Sequence, residues 1–136
     1  MPTDTRIATA QEFFQRSFSG DVSSAIEFLD EQVSYYVPGT HQLSGQFEGP
    51  EAVAQHLGKL LQLTSGTVDV LQWEDWMLGV NHVAALTHMS VQHRGAIYTF
   101  RGVFVITIAD DAKIRRIEIF FEDQAAAERF FSATVE

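Results

Sequence analysis

The sequence has no cysteine. That excludes disulfides, thiolate nucleophiles and thiolate zinc centres together. It is compatible with a reducing compartment, and a cytoplasmic location is the expectation. Long apolar runs are missing too: no segment approaches the ~20 consecutive apolar residues of a membrane span. The stretch Met1–Gln11 has no apolar core and does not read as a signal peptide. Basic residues are few, nine against eighteen acids, for a net charge of −9. Nucleic-acid affinity needs cations that displace phosphate counterions, and anionic membranes need them as well. Neither partner is expected. No glycine-rich phosphate loop is present, so no organic cofactor is expected. Repeats, low-complexity tracts and linkers are absent, and the 136 residues read as one domain, 1–136. A chain of this size buries roughly two-thirds of its unfolded surface and needs no staple.

Aromatic residues are plentiful. Eleven are phenylalanine, several in adjacent pairs: Phe13-Phe14, Phe120-Phe121 and Phe130-Phe131. Neighbours on a strand point to opposite faces, so one of Phe120 and Phe121 must leave the interior. Both faces of the sheet are then partly covered, one by helices and one by a partner subunit.

Along the chain, Phe13, Phe14 and Phe18 recur at helical spacing before Gly20. That helix starts at a Thr9-Ala10-Gln11-Glu12 capping box or nearer Asp4. Gly20-Asp21 reads as a stop followed by a new N-cap, opening a second helix from Val22 to Leu29. Val33, Tyr35 and Val37 alternate as a short strand that ends at Pro38-Gly39. Thr40–Glu48 reads as a polar loop. Pro50 suits the first position of a third helix, with Val53, Leu57, Leu60 and Leu61 as its buried stripe. Four strands follow: Thr67–Leu78, His82–His93, Ile97–Ala109 and Lys113–Glu122. Their turns fall at Gly79-Val80-Asn81, Arg94-Gly95 and Asp110-Asp111. Asp123 caps a last helix that runs to Ser132. Sequential hairpins give an antiparallel meander, and strands this long must coil into a concave face. The expected fold class is α+β, a cone of helices packed on a strongly curved antiparallel sheet that encloses a pocket.

This order of elements resembles the SnoaL-like branch of the superfamily with the nuclear transport factor 2 (cystatin-like) fold, which includes the ketosteroid isomerases. The likeness rests on Ser19-Gly20-Asp21, Val37-Pro38-Gly39, Leu43-Ser44-Gly45, Glu48-Gly49-Pro50 and the segment from Lys113-Ile114 through Phe120, Phe121 and Asp123. It implies a hydrophobic small-molecule pocket and a homodimer through the outer sheet face. The isomerase positions are not filled. The helix tyrosine falls at Phe13, the base at Val37 and the sheet acid near Phe104. The limonene-epoxide-hydrolase pattern fails likewise, because Arg101 is followed by Gly102 and Val103 where that chemistry needs an aspartate. Polyketide cyclases of this branch use a carboxylate and a nearby histidine, and those candidates must be weighed singly.

Strand alternation groups the inward residues. Val33, Tyr35 and Val37 share a face with Val83, Ala85, Thr87, Met89 and Val91. Tyr98, Phe100, Phe104 and Ile106 join them, as do Ile117, Ile119 and Phe121. Phe13, Val37, Thr87, Tyr98, Phe104, Ile117, Ile119 and Phe121 are therefore the expected pocket residues, with Tyr35, Tyr98 and Thr87 as polar handles. A packed core with no cavity is the plain alternative. No metal is expected. His82 and His88 lie roughly 20 Å apart at strand rise and His93 points the other way.

His41 follows Pro38-Gly39 at what the resemblance makes the pocket mouth, and is the candidate general base; otherwise it is a solvated loop residue. Glu118 is either an outer-face ion-pair partner of Arg101 or Arg116, or a buried carboxylate of raised pKa. Asp75, in Trp73-Glu74-Asp75-Trp76, is an acid/base candidate or an exposed strand carboxylate. One tryptophan faces each way unless a bulge intervenes.

The leading expectation is a small-molecule pocket protein; if it is catalytic, it is a cofactor-independent isomerase-, cyclase- or hydratase-like enzyme acting on an apolar substrate. In that case His41 is the base, Tyr35 the donor and Asp75 or Glu118 the carboxylate. The alternatives are a non-catalytic carrier using the same cavity, and a protein-interaction module with a filled interior.

Overall fold

The structure is a computed structural model that describes residues 4–108 and 112–132. Helix α1 spans Thr5–Phe18. It begins at Asp4, whose carboxylate accepts from the Arg6 N–H at 2.8 Å, a turn before the Thr9 box. After Gly20 (φ +96°) comes α2, Val22–Ala25, followed by a 3₁₀ turn, Ile26–Phe28. The expected single helix to Leu29 is cut short because Leu29 is already extended and pairs with Ile114.

Strand β1 is therefore longer than expected, Leu29–Val37. The Thr40–Glu48 segment is not all loop: Gly45–Glu48 forms β2, antiparallel to β1 with Val37 opposite Gly45. Helix α3 is Pro50–Leu63, with proline in its first turn. The meander follows as β3 Asp69–Leu78, β4 His82–His93, β5 Ala96–Ile108 and β6 Ile114–Phe121, and then α4 Gln124–Ser132. Arg94 and Gly95 both have positive φ, as a two-residue hairpin turn requires. The expected end of β5 at Ala109 and the Asp110-Asp111 turn lie outside the described residues. Asp123 does cap α4, accepting from the Ala126 N–H at 3.0 Å.

The six strands run β2-β1-β6-β5-β4-β3. Every pair is antiparallel except β1–β6, which is parallel and was not anticipated. Alternation sends Val83, Ala85, Thr87, Met89 and Val91 inward, and all five are buried. Phe104, Ile106, Ile117 and Ile119 are buried with them. Phe120 is 45% exposed whereas Phe121 turns inward, so the aromatic pair divides between the faces as expected. The two tryptophans do not divide. Register shifts in β3 after Val70 and Trp73 rotate the strand, and the Trp73 and Trp76 rings stack at 4.9 Å. Among the described residues no helix is long and apolar enough to cross a membrane.

Candidate functional site

Side chains from α1, α3, α4 and the segment between Val37 and Gly45 meet those of the concave sheet face around a cavity of about 50 Å³. Its wall is almost wholly apolar; Phe100, Phe104, Ile119 and Phe121 come from the sheet and Phe131 from α4. Among the described residues only Tyr35, His41 and His56 bring polar groups to it. Of the expected pocket residues, Val37, Phe104, Ile119 and Phe121 line the cavity and the other four do not. Phe13 and Ile117 are fully buried in close-packed core. The Thr87 hydroxyl donates to the Gly102 carbonyl at 3.0 Å. Tyr98 is stacked behind Phe100 and Phe130, at 4.8 and 5.0 Å. Strand parity fixes the face a residue takes, not its depth along the cone.

His41 is held by a tight turn. Its N–H donates to the Ser44 hydroxyl at 3.0 Å, and that hydroxyl donates to the Pro38 carbonyl at 2.9 Å. The Leu43 N–H donates to Nδ1 of the imidazole at 3.1 Å. A protonated Nδ1 would face that N–H, so the neutral ring carries its proton on Nε2. Burial pushes the His41 pKa down, opposed by the charge of Glu128. Nε2 is buried with no hydrogen-bond partner among the described residues. In that tautomer the Nδ1 lone pair is occupied and Nε2 donates, which weighs against a general base.

His56, absent from the sequence reasoning, is the second imidazole. It lies three residues after Val53 and four before Leu60, and so belongs to the buried stripe of α3. Its ring stacks on Phe47 at 4.3 Å and tilts against Tyr35 at 5.0 Å. Burial, the charge of Lys59 and the neighbouring His41 lower its pKa to about 4. Its Nδ1 is buried and unpartnered among the described residues. Burial raises the Tyr35 phenol. At neutral pH all three polar groups are uncharged.

The two expected carboxylates lie elsewhere. Asp75 is exposed and accepts from the Trp76 N–H at 2.9 Å. Glu118 takes the outer-face position and pairs with Arg116 at 3.3 Å. The β3 register shift turns Asp75 out, and the parity that brings Ile117 and Ile119 in turns Glu118 away. Among the described residues no carboxylate lines the cavity, and no cluster of three His, Cys, Asp or Glu could hold a metal.

Glu128 on α4 is the carboxylate nearest in effect. It accepts from the Thr40 N–H at 3.0 Å and the Thr40 hydroxyl at 3.1 Å, and from Gln124 at 2.8 Å. Although burial opposes it, these bonds hold its carboxyl below the usual range. Nearby, Gln42 donates to the Phe131 carbonyl at 2.6 Å. The Glu128 and Gln42 bonds fasten α4 over the cavity. They are possible because Gly39 (φ +98°) has no Cβ; one placed there would overlap Glu128 and press on Gln124. Gly39→Ala should therefore cost about 1–2 kcal/mol in backbone strain and also dislodge Glu128. Amides 124–132 should exchange at least ten-fold faster. The comparison is Gly20→Ala, which has similar φ and open space. Equal exchange of α4 in both variants would refute the latch.

Residues 10–117 match the profile of a family described as the SnoaL-like domain. An uncharacterized protein of Mycobacterium tuberculosis is 27% identical over 133 residues, covering 97% of this chain and all of that protein. A protein of unknown function with a cystatin-like fold from Xanthomonas campestris superposes with a TM-score of 0.84 at 28% identity, covering 93% of this chain and 98% of that one. TerC, crystallised with polyporic acid, superposes with a TM-score of 0.82 at 18% identity, covering 96% and 100%.

Proposed function

Because the chain belongs to the SnoaL-like domain family, we propose that it binds a small, uncharged hydrophobic molecule with one acceptor oxygen, which His41 Nε2–H engages. The observation that carries this reading is the buried, unsatisfied Nε2–H of His41 in an otherwise apolar cavity. A buried donor without a partner costs about 1–3 kcal/mol, so a ligand oxygen placed there relieves a standing penalty. A charged ligand is disfavoured, because among the described residues the wall offers no ionised group to receive it. At the level of fold alone, the TerC complex is in keeping with a small-molecule pocket.

Binding is favoured over catalysis by the same geometry. Proton abstraction requires a base whose pKa is near the working pH. His41 presents a proton, and His56 at about 4 is a weak base. The enzymatic reading keeps one support, the unpartnered Nδ1 of His56 in the same cavity. There His41 polarises a carbonyl and His56 takes the proton of an isomerisation, cyclisation or hydration.

Native mass spectrometry of freshly purified protein tests the proposal. The expected result is a retained neutral compound whose affinity falls about ten-fold in His41→Leu, the loss of one buried hydrogen bond. A retained carboxylate or phosphate compound, or an unchanged affinity in His41→Leu, would refute it.

The outer sheet face supports a second copy of the chain as partner, and a cytoplasmic location goes with this reading. Leu86, Val103 and Phe120 stand opposite one another across β4, β5 and β6. This apolar row lies between the Arg101–Glu74 pair at 3.0 Å and the Arg116–Glu118 pair. Sedimentation should give twice 15.2 kDa for the wild type, and Phe120→Asp should weaken the dimer at least ten-fold by burying a carboxylate. A monomeric wild type would exclude this partner.

A further inference from the structure

The central cavity is about 50 Å³, roughly a third of the ~150 Å³ void that admits benzene. At that volume it takes an organic molecule only if a wall residue moves. Beside it, between α1 and β3, lies an open groove of about 540 Å³. Phe18 and Val68 line both spaces and are the wall between them.

The two halves of this wall differ in how they are held. Val68 is buried and follows Thr67, whose hydroxyl bonds the Thr64 carbonyl and accepts from the Gln92 N–H at 3.1 Å. Phe18 is the last residue of α1, half-buried, 5.7 Å from Phe14, and followed by Ser19 and the open corner at Gly20. Phe18 is thus the less tightly held half of the wall.

The groove differs in chemistry from the cavity. Its floor is Phe14, Val70 and Trp73, and its rim carries Gln11, Gln15 and Asp69. The side-chain amides of Gln11 and Gln15 have no protein partner among the described residues. Among the described residues no basic side chain lines the groove, so a phosphate or carboxylate finds no counter-charge from them.

We propose that Phe18 is the size-determining gate and that the groove is a second subsite, so that the ligand is a two-part molecule. A small apolar head with an acceptor oxygen occupies the cavity. An uncharged tail rich in hydroxyl groups lies along the groove against Gln11 and Gln15. This rests on the cavity reading above.

The test is an NMR titration with two probes of one head, 4-methoxyacetophenone and 4-acetylphenyl β-D-glucopyranoside. Both should shift the resonances of Tyr35 and His41. Only the glucoside should shift the side-chain amides of Gln11 and Gln15, and it should bind at least ten-fold more tightly. Gln11→Ala with Gln15→Ala should remove that gain, whereas Phe18→Trp, which fills the gate, should weaken both probes at least ten-fold. A methoxy compound that binds while the sugar adds nothing overturns the subsite alone. If neither probe binds, the cavity reading falls with it.

Discussion

Between pH 6.5 and pH 4 the protein should lose about 3 kcal/mol of stability through His56 alone. The unfolded imidazole titrates near 6.5, while burial holds the folded one to about 4. In that window the unfolded chain binds a proton that the folded chain refuses, so stability rises with pH. It is fully present above about 6.5, falls by about 1.4 kcal/mol per pH unit below it, and levels off near 4. His41, lowered in the same direction by burial, adds to the slope. The lowered carboxylates Glu74 and Glu128 lose their contributions further down, below the ordinary glutamate value of about 4.5, so the upper part of the window belongs to the histidines. Urea midpoints at pH 7.0, 6.0 and 5.0 measure it, with His56→Phe as comparison. That ring fits beside Phe47 and does not titrate. A variant as steep as the wild type would mean that His56 ionises freely in the folded state. The cavity would then hold a cation, and the case for an uncharged ligand would be lost.

This prediction turns on a residue that the sequence contained but that periodicity had disguised. The stripe Val53, Leu57, Leu60 was readable as the inner face of α3, and His56 sits on it at the same spacing. Histidine in an apolar stripe reads as a polar interruption until a partner for its nitrogens is sought. The inner faces of β4, β5 and β6 were legible because they alternate cleanly over long strands. The bounds of β4 at His82 and His93 were legible because glycine-containing turns flank them. Strand β2 was not: Gly45-Gln46-Phe47-Glu48 has one apolar residue and takes its strand character from pairing with β1. The parallel β1–β6 pair was hidden for a similar reason, since Tyr36 and Glu118 lie 82 positions apart in the chain. The role of His41 was half legible. Its place at the cavity followed only from the resemblance, which sets the pocket mouth after Pro38-Gly39, and its tautomer is set by the N–H of Leu43, a backbone contact that side-chain identity does not reveal.

Phe104→Ala should lower stability by about 3–5 kcal/mol and turn a narrow slot into a real binding void. Phe104 is 1% exposed, and its ring lies 4.4 Å from Phe14 at the cavity wall. Deleting it removes the transfer free energy of the ring and leaves space that close-packed neighbours fill only in part. Joined to the existing 50 Å³, the void reaches on the order of 150 Å³, enough for benzene. The stability loss alone would follow from any packed core. The distinguishing result is rescue: benzene at ten times its Kd for the variant should return about 1.4 kcal/mol to the variant and less to the wild type, where Phe104 still fills the space. Thermal melts with and without benzene measure both quantities. If Phe104→Ala loses its stability and benzene restores none of it, the wall has collapsed inward. The slot would then be a packing defect that its neighbours close readily, not a rigid frame shaped to hold a ligand.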